Sequence, residues 1–150
     1  MKMICFDMDG TIADLYSVPN WLKKLMNEDA TPYEEAAPMW DMKALREVLL
    51  QLIDKGYEIR VISWLAKDSS KEYKAATRKA KKAWLEKYNF PAGKCHFVAY
   101  GTTKADCIRR ILEDPAILVD DNQKVRDGWH LGESIDPTKA NLLEVLSALD

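Results

Sequence analysis

The segment ICFDMDGT, residues 4–11, joins an apolar run to two aspartates, a glycine and a threonine. The apolar part predicts a short buried strand from Met3 to Asp7, and Gly10 predicts a turn after it. In an extended chain, residues i and i+2 point to the same side, so Asp7 and Asp9 could enter one site. A solvated acidic turn or a helix cap would also explain these residues, because Asp and Gly are common in turns. The segment alone leaves both interpretations open.

The rest of the chain alternates predicted strands with predicted helices. Strands are expected at residues 57–63, 96–100 and 116–119, where β-branched or apolar residues follow one another. Helices are expected after Asp41, over 69–88, after Thr103 and over about 138–149, with a short one around 21–26. This alternation predicts an α/β fold, a three-layer Rossmann-like parallel sheet with only a short helical insertion after the first strand.

Polar residues follow the predicted strands where a ligand would bind, beyond the carboxyl ends of a parallel sheet. Carboxylates crowded there repel one another unless a cation offsets them, and Mg²⁺ prefers such oxygen ligands. A hydroxyl and an ammonium group suit an anionic phosphoryl group, although a helix cap and a solvated lysine explain each of them alone. The residues concerned are Asp7, Asp9, Ser63, Lys104, Asp120 and Asp121.

Length and composition restrict the class of protein. The chain has 150 residues, of which 47% are hydrophobic, and this fits one domain with one core. The formal net charge of −2 does not indicate a strongly basic nucleic-acid binder, and no stretch approaches the roughly 18 apolar residues of a membrane span. Cys5, Cys95 and Cys107 are odd in number and have no metal-ligand spacing, which indicates neither a disulfide framework nor a zinc site, so we expect a cytoplasmic protein.

Four segments of the sequence resemble the haloacid dehalogenase-like (HAD) phosphatases. They are ICFDMDGT (4–11), EIRVIS (58–63), YGTTKADCI (100–108) and ILVDDN (117–122), in the order that this family has. The first and last segments are specific to the family, whereas the middle two rest on single residues. A phospho-receiver domain differs, because its paired acids follow the first strand and its phosphorylated Asp follows the third. The resemblance covers most of the chain.

The resemblance implies a Mg²⁺-dependent phosphomonoester hydrolase that forms an aspartyl-phosphate. Asp7 would be the nucleophile, and Asp9 would protonate the leaving group and then accept a proton from the attacking water. An acid at the position of Asp9 favours a phosphatase over a dehalogenase, which lacks it, or an ion pump, which has Thr there. The metal ligands would be Asp7, the backbone carbonyl of Asp9, Asp120, and Asp121 directly or through water. The phosphate-binding residues would be Ser63, Lys104, Gly10 and Thr11. A non-catalytic phosphate-binding module on the same fold is the alternative.

The sequence leaves little room for the cap domain with which this family selects substrates. Residues 15–40 can hold one short helix and a loop, so we expect a single domain over 1–150 with a minimal cap or flap at 15–40. An open site suits a phosphorylated macromolecule or a nucleic-acid end, whereas a second subunit or a mobile flap would close it over a small molecule. The pattern is also similar to the deoxyribonucleotidases, whose cap is larger, so a nucleotide remains an alternative substrate.

Aromatic residues near the predicted site have two interpretations. Trp21, Tyr33, Trp40 and Trp64 could stack on a nucleobase, or they could pack in the core or in a dimer contact. Trp64 also stands where the HAD phosphatases more often have a small or polar residue.

A basic segment at residues 67–87 contains eight Lys or Arg and three acidic residues. Such a segment could bind a phosphate backbone, but the expected arrangement is the solvated outer face of a helix. The apolar face of that helix is predicted to consist of Tyr73, Ala76, Ala80, Ala83 and Trp84.

Overall fold

The predicted first strand lies in the centre of a five-stranded parallel sheet. The computed structural model describes residues 1–150. Its strands are β1 (Lys2–Phe6), β2 (Ala13–Asp14), β3 (Ala37–Pro38), β4 (Tyr57–Trp64), β5 (Lys94–Val98), β6 (Ala116–Val119) and β7 (Ser134–Ile135). The order across the sheet is β5-β4-β1-β6-β7, and all neighbours run parallel. β2 and β3 form a separate antiparallel pair. The predicted three-layer α/β fold is confirmed.

The helices agree with the sequence pattern over most of the chain. They are α1 (Trp21–Met26), α2 (Thr31–Glu35), α3 (Met42–Asp54), α4 (Lys71–Lys87), α5 (Gln123–Asp127) and α6 (Leu142–Ser147). The last helix is therefore shorter than the predicted 138–149, and β5 begins two residues before the predicted strand at 96–100. No helix of the structure combines the length and the apolar character that crossing a bilayer requires.

The helix predicted after Thr103 is wrong. Lys104–Cys107 forms a single 3₁₀ helix instead, and only turns and bends follow it up to Pro115. Thr103 caps no backbone N–H of this segment, so the predicted start signal is missing. Pro115 disfavours helical geometry in the residue before it, so a helix could not continue up to β6. The short turn nevertheless buries Lys104 beneath the sheet edge.

The alternating side chains of β1 divide the core between the two faces of the sheet. Ile4 and Phe6 belong to the larger cluster, which α3, α4 and α6 cover. Met3 and Cys5 point the other way, into a smaller cluster that includes Ile108. The side chain of Asp7 lies on the same side of the sheet as those of Met3 and Cys5, because the three residues alternate along an extended chain. This is the face that carries Lys104.

Residues 15–40, here called the insertion, connect β2 to α3 and pack against α4. The Tyr73 hydroxyl of α4 donates a hydrogen bond to the Asp29 carbonyl at 2.8 Å. The Glu28 carboxylate accepts hydrogen bonds from the backbone N–H of Ser70 at 2.7 Å and from its hydroxyl at 2.6 Å. Because Ser70 is also the N-cap of α4, the insertion is attached to the first turn of that helix.

The buried face of α4 differs from the predicted one. Ala76 and Ala83 are exposed, whereas Thr77 and Lys81 are buried between Tyr73 and Trp84. The expectation that the basic residues of 67–87 form a solvated face is therefore wrong for Lys81, whose side chain is 1% exposed. The reason is that oxygen atoms at the end of β4 surround its ammonium group.

Candidate active site

A cavity of about 630 Å³ opens at the carboxyl ends of the central strands, between the sheet and the insertion. Five of the predicted site residues line it: Asp7, Asp9, Lys104, Asp120 and Asp121. The other three, Ser63, Gly10 and Thr11, are buried behind this surface. The remaining wall is largely apolar and comes from the insertion and from the residues after β4. The charged residues thus lie at the base of a partly apolar cavity.

Lys104 joins the ends of β1 and β6. Its ammonium group donates to Asp7 Oδ1 at 2.9 Å and to Asp120 Oδ2 at 2.7 Å. Burial alone would lower the pKa of Lys104, but the two carboxylates outweigh it and the pKa is raised. The two carboxylates therefore stabilise the charged form of Lys104 at the base of the cavity. The Asp120 position is further fixed by a backbone N–H bond from Asn122 to Oδ1 at 2.9 Å.

Thr11 and Gly10 shape the acidic cluster from behind. The Thr11 hydroxyl lies 3.1 Å from both Asp7 Oδ2 and Asp121 Oδ1, and it accepts the Asp121 backbone N–H at 3.2 Å. Gly10 has φ +81°, and a Cβ there would overlap the Asp121 carboxylate and approach the Tyr16 ring to 2.8 Å. A side chain at position 10 would therefore displace a carboxylate of the cluster.

Neither Gly10 nor Thr11 offers a backbone donor to the cavity. The Gly10 N–H donates to the Ala13 carbonyl at 2.8 Å, and the Thr11 N–H donates to the Met8 carbonyl at 3.1 Å. Neither backbone N–H is therefore free to donate a hydrogen bond to a phosphate. Both bonds stabilise the loop that carries Asp7 and Asp9, and the phosphate-binding role of Gly10 and Thr11 stays a prediction.

Three carboxylates form a group with the geometry of a cation site. Oxygen atoms of Asp7, Asp120 and Asp121 all lie within 4.8 Å of one another. Burial, and then the negative charge of Asp7, raises the pKa of Asp120 to about 6 and that of Asp121 to about 7. Both carboxyl groups therefore hold a proton more readily than a carboxyl group in water does. A hard divalent cation with oxygen ligands, such as Mg²⁺, fits this donor set.

Asp9 has a different partner, which the sequence analysis missed. Lys81 donates to Asp9 Oδ2 at 2.9 Å, to Ser63 Oγ at 2.7 Å and to the Trp64 carbonyl at 2.8 Å. Burial raises the pKa of Asp9, while Lys81 opposes that shift. One signal in the sequence could have identified Lys81. It lies four residues after Thr77 and eight after Tyr73, on the buried face of α4.

Trp64, the departure from the family pattern, forms part of the cavity wall. Its indole N–H donates to the Thr102 carbonyl at 2.8 Å, and its ring lies 5.0 Å from that of Tyr100. The Lys104 ammonium lies 5.5 Å from the Trp64 ring centroid. Tyr100 is 56% exposed, and Lys67 lies 5.9 Å above its ring. Trp64, Tyr100 and Lys67 all line the cavity and provide a surface with aromatic and cationic character.

The other predicted aromatic residues lie in two environments. Trp21 and Tyr33 line the cavity from the insertion. Trp40 does not line it, because its indole N–H donates to the Thr11 carbonyl at 2.8 Å and supports the loop from outside. Tyr16, which the sequence analysis did not single out, also lines the cavity.

Comparisons with known proteins support the fold. No protein-family model matches this sequence, and no curated protein sequence matches it. Among solved structures, a chain of the Pnkp1/Rnl/Hen1 RNA repair complex superposes with a TM-score of 0.59 and 18% identity, over 89% of this chain and 41% of that one. A D,D-heptose 1,7-bisphosphate phosphatase from Burkholderia thailandensis superposes with a TM-score of 0.52 and 18% identity, over 89% of this chain and 75% of that one. The chain thus spans less than half of the RNA repair protein, and likeness at this identity concerns the fold.

Proposed function

We propose that this protein is a Mg²⁺-dependent phosphomonoester hydrolase of the HAD type. The observation that carries the proposal is the arrangement around Asp7. Its carboxylate lies beside Lys104 and within a three-carboxylate group suited to a divalent cation, at the base of a cavity that Asp9 also lines. The similarity in fold to a heptose bisphosphate phosphatase agrees with phosphoester hydrolysis.

The proposed reaction has two steps, both centred on Asp7. A carboxylate oxygen of Asp7 attacks phosphorus, the bond from phosphorus to the leaving oxygen breaks, and Asp9 donates a proton to that oxygen. Asp9 then accepts a proton from a water molecule whose oxygen attacks the aspartyl-phosphate. The bond between Asp7 and phosphorus breaks, and inorganic phosphate is released.

The remaining residues supply charge and position. Mg²⁺ would be held by Asp7, Asp120, the Asp9 backbone carbonyl, and Asp121 directly or through water, and it would neutralise the charge that repels a phosphate dianion. Lys104 would bind a phosphoryl oxygen and keep Asp7 in place. Ser63 would donate its hydroxyl proton to a second phosphoryl oxygen.

Hydrolysis of p-nitrophenyl phosphate by the purified chain tests the proposal. Activity should require Mg²⁺, disappear with EDTA, and be lost in Asp7→Asn. Asp9→Asn should slow hydrolysis of the intermediate, so that mass spectrometry detects one phosphoryl group on the peptide containing Asp7. Lack of turnover with Mg²⁺ on a broad panel of phosphate esters would contradict the proposal. In that case, ligand binding that Asp7→Asn leaves unchanged would favour the non-catalytic phosphate-binding module.

A nucleotide or a nucleic-acid end is the substrate that the cavity wall favours. Trp64 and Tyr100 offer aromatic faces, and Lys67 adds a positive charge above Tyr100. The similarity in fold to a chain of an RNA repair complex agrees with this choice. We therefore expect oligonucleotides with a 3′- or 5′-phosphate, or mononucleotides, to have higher kcat/KM than sugar phosphates. A preference for sugar phosphates would contradict the nucleic-acid proposal and leave the phosphatase proposal intact.

The insertion is the proposed minimal cap of a single domain spanning 1–150. Its aromatic and apolar side chains line the cavity opposite the sheet edge, so a small movement would change access to Asp7. Closure by a second copy of the chain is the alternative, and the oligomeric state in solution distinguishes the two.

A further inference from the structure

Lys81 is a buried charged residue that the proposed reaction does not use. Its side chain is 1% exposed and does not line the cavity. A lysine ammonium has three N–H donors, and all three are engaged here, by Asp9, Ser63 and the Trp64 carbonyl. No donor is left for a substrate, so Lys81 can act only through the residues that it holds.

The neighbours of Lys81 on α4 do not by themselves require a charge. The neighbouring positions on its face of α4 are occupied by Thr77, Ala80 and Trp84, all buried. A buried ammonium is costly unless it is paired, and an apolar residue here would leave a carboxylate, a hydroxyl and a carbonyl without their donor. The single carboxylate partner is Asp9, which is 18% exposed and lines the cavity. The charge is thus directed at one residue of the site.

The two carboxylate oxygens of Asp9 have different environments. Oδ2 accepts the Lys81 bond, whereas Oδ1 has no hydrogen bond within the protein. Oδ1 is therefore the oxygen available to exchange a proton with a bound molecule. The Ser63 oxygen is used as an acceptor for Lys81, and its hydroxyl proton has no acceptor within the protein. Ser63 itself is 1% exposed and does not line the cavity.

We propose that Lys81 is a positioning residue that orients Asp9 Oδ1 towards the phosphoryl group. This inference rests on the proposed phosphatase function. In the first step Oδ1 gives its proton to the leaving oxygen, and in the second step it takes one from water. Oδ2 stays on Lys81 throughout. Lys104 and Lys81 thus have separate partners: Lys104 orders the nucleophile Asp7, and Lys81 orders the acid Asp9.

Leaving-group dependence tests this role. Proton donation matters most for esters with a basic leaving oxygen, and kcat/KM reports the steps up to departure of that group. Lys81→Met should lower kcat/KM by roughly 10- to 100-fold on an alkyl phosphate and by much less on 2,4-dinitrophenyl phosphate. Lys81→Arg should recover part of the loss, because it keeps the charge. Lys82→Met is the matched control, since Lys82 is exposed on the same helix and should behave as wild type.

A double-mutant comparison with Asp9→Asn separates positioning from a structural effect. If Lys81 acts through Asp9, adding Lys81→Met to Asp9→Asn should lower kcat/KM on the alkyl phosphate little further. Ser63→Ala, compared on the same esters, should show no leaving-group dependence. If Lys81→Met fails to fold by circular dichroism, Lys81→Gln replaces it in the comparison.

The outcomes separate this inference from the phosphatase proposal. Equal losses of kcat/KM on the two esters, or losses that add to those of Asp9→Asn, would overturn the role of Lys81. The phosphatase proposal would still stand if the wild-type activity depends on Asp7. Absence of wild-type turnover would overturn both.

Discussion

The backbone of Gly10 lies directly against the carboxylate of Asp121. No side chain fits between them, because a Cβ on Gly10 would overlap that carboxylate. Asp121 follows β6 and belongs to the group of three carboxylates whose geometry suits a cation, and Gly10 belongs to the loop after β1. The spacing between the two loops is thus fixed by the lack of a side chain at one position.

Gly10→Ala should impair the site more than it impairs folding. It should raise the Mg²⁺ concentration needed for half-maximal activity, because the added methyl group displaces Asp121. Gly56→Ala is the control, since Gly56 also has positive φ, +97°, but nothing lies within 4 Å of its Cβ position. Both variants should lose about 1 kcal/mol or more of unfolding free energy from backbone strain. Equal Mg²⁺ requirements in the two variants would contradict the role given to Gly10.

Lys104→Met should remove activity and lower stability together. It leaves Asp7 and Asp120 without their shared cation, and breaking a buried ion pair costs about 3–5 kcal/mol. Urea unfolding should show this loss in metal-free buffer, and Mg²⁺ should restore part of it by binding the same carboxylates. Lys43→Met, at an exposed position of α3, should change neither property. A stable and active Lys104→Met protein would refute the proposed role.

The stability of the metal-free protein should fall as the pH rises from about 4 to about 7. The pKa values of Asp120 and Asp121 are raised from 3.8 to about 6 and about 7, so the folded state binds more protons than the unfolded chain in this window. Mg²⁺ competes with those protons, so it should raise the unfolding temperature more at about pH 8 than at about pH 5. Differential scanning calorimetry measures both effects. The same increase at both pH values would argue against cation binding by these two carboxylates.

Much of the site could be predicted from the sequence because its signals are local. Asp7 and Asp9 lie in one short segment, and Asp120 and Asp121 directly follow an apolar run. The predicted ends of these two strands were therefore enough to place the four carboxylates at the same edge of the sheet. Lys81 was missed because its partners lie 18 and 72 residues away, and only the packing of α4 on the sheet reveals them.

The errors in the fold have similar physical origins. Ala76 and Ala83 fitted the predicted apolar face, but exposing an alanine side chain to water costs little free energy. Polar contacts therefore decided which face of α4 is buried. β7 has only two residues, Ser134 and Ile135, and is held by pairing with β6 rather than by a pattern of its own.

Tyr100→Ala should weaken the binding of nucleotide substrates. Base stacking on an aromatic side chain contributes about 1–3 kcal/mol, so KM for a phosphorylated oligonucleotide should rise at least about fivefold. The KM for methyl phosphate, which has no ring to stack, should stay unchanged. Ile111→Ala provides a control, because Ile111 is also exposed but lies outside the cavity. An equal rise in KM for both substrates would speak against stacking.

Glu28→Gln should loosen the insertion without unfolding the domain. The carboxylate accepts two bonds from Ser70, and these bonds lower its pKa, so its charged form is the one that binds. Hydrogen exchange should become faster in α1 and α2 and stay unchanged in β1. Glu34→Gln, an exposed neutralisation in the same insertion, should not have this effect. Faster exchange throughout the chain would indicate general destabilisation instead.

The helix α4 carries both Ser70, which is bonded to the insertion, and Lys81, which is bonded to Asp9. A single helix therefore connects the insertion to Asp9, the proposed proton donor. If the proposed function holds, a substrate that shifts the insertion would also shift Lys81 and Asp9 through α4, which would couple substrate recognition to proton transfer. Substrate preference and catalytic rate should accordingly change together when α4 is altered, and neither can be redesigned there alone.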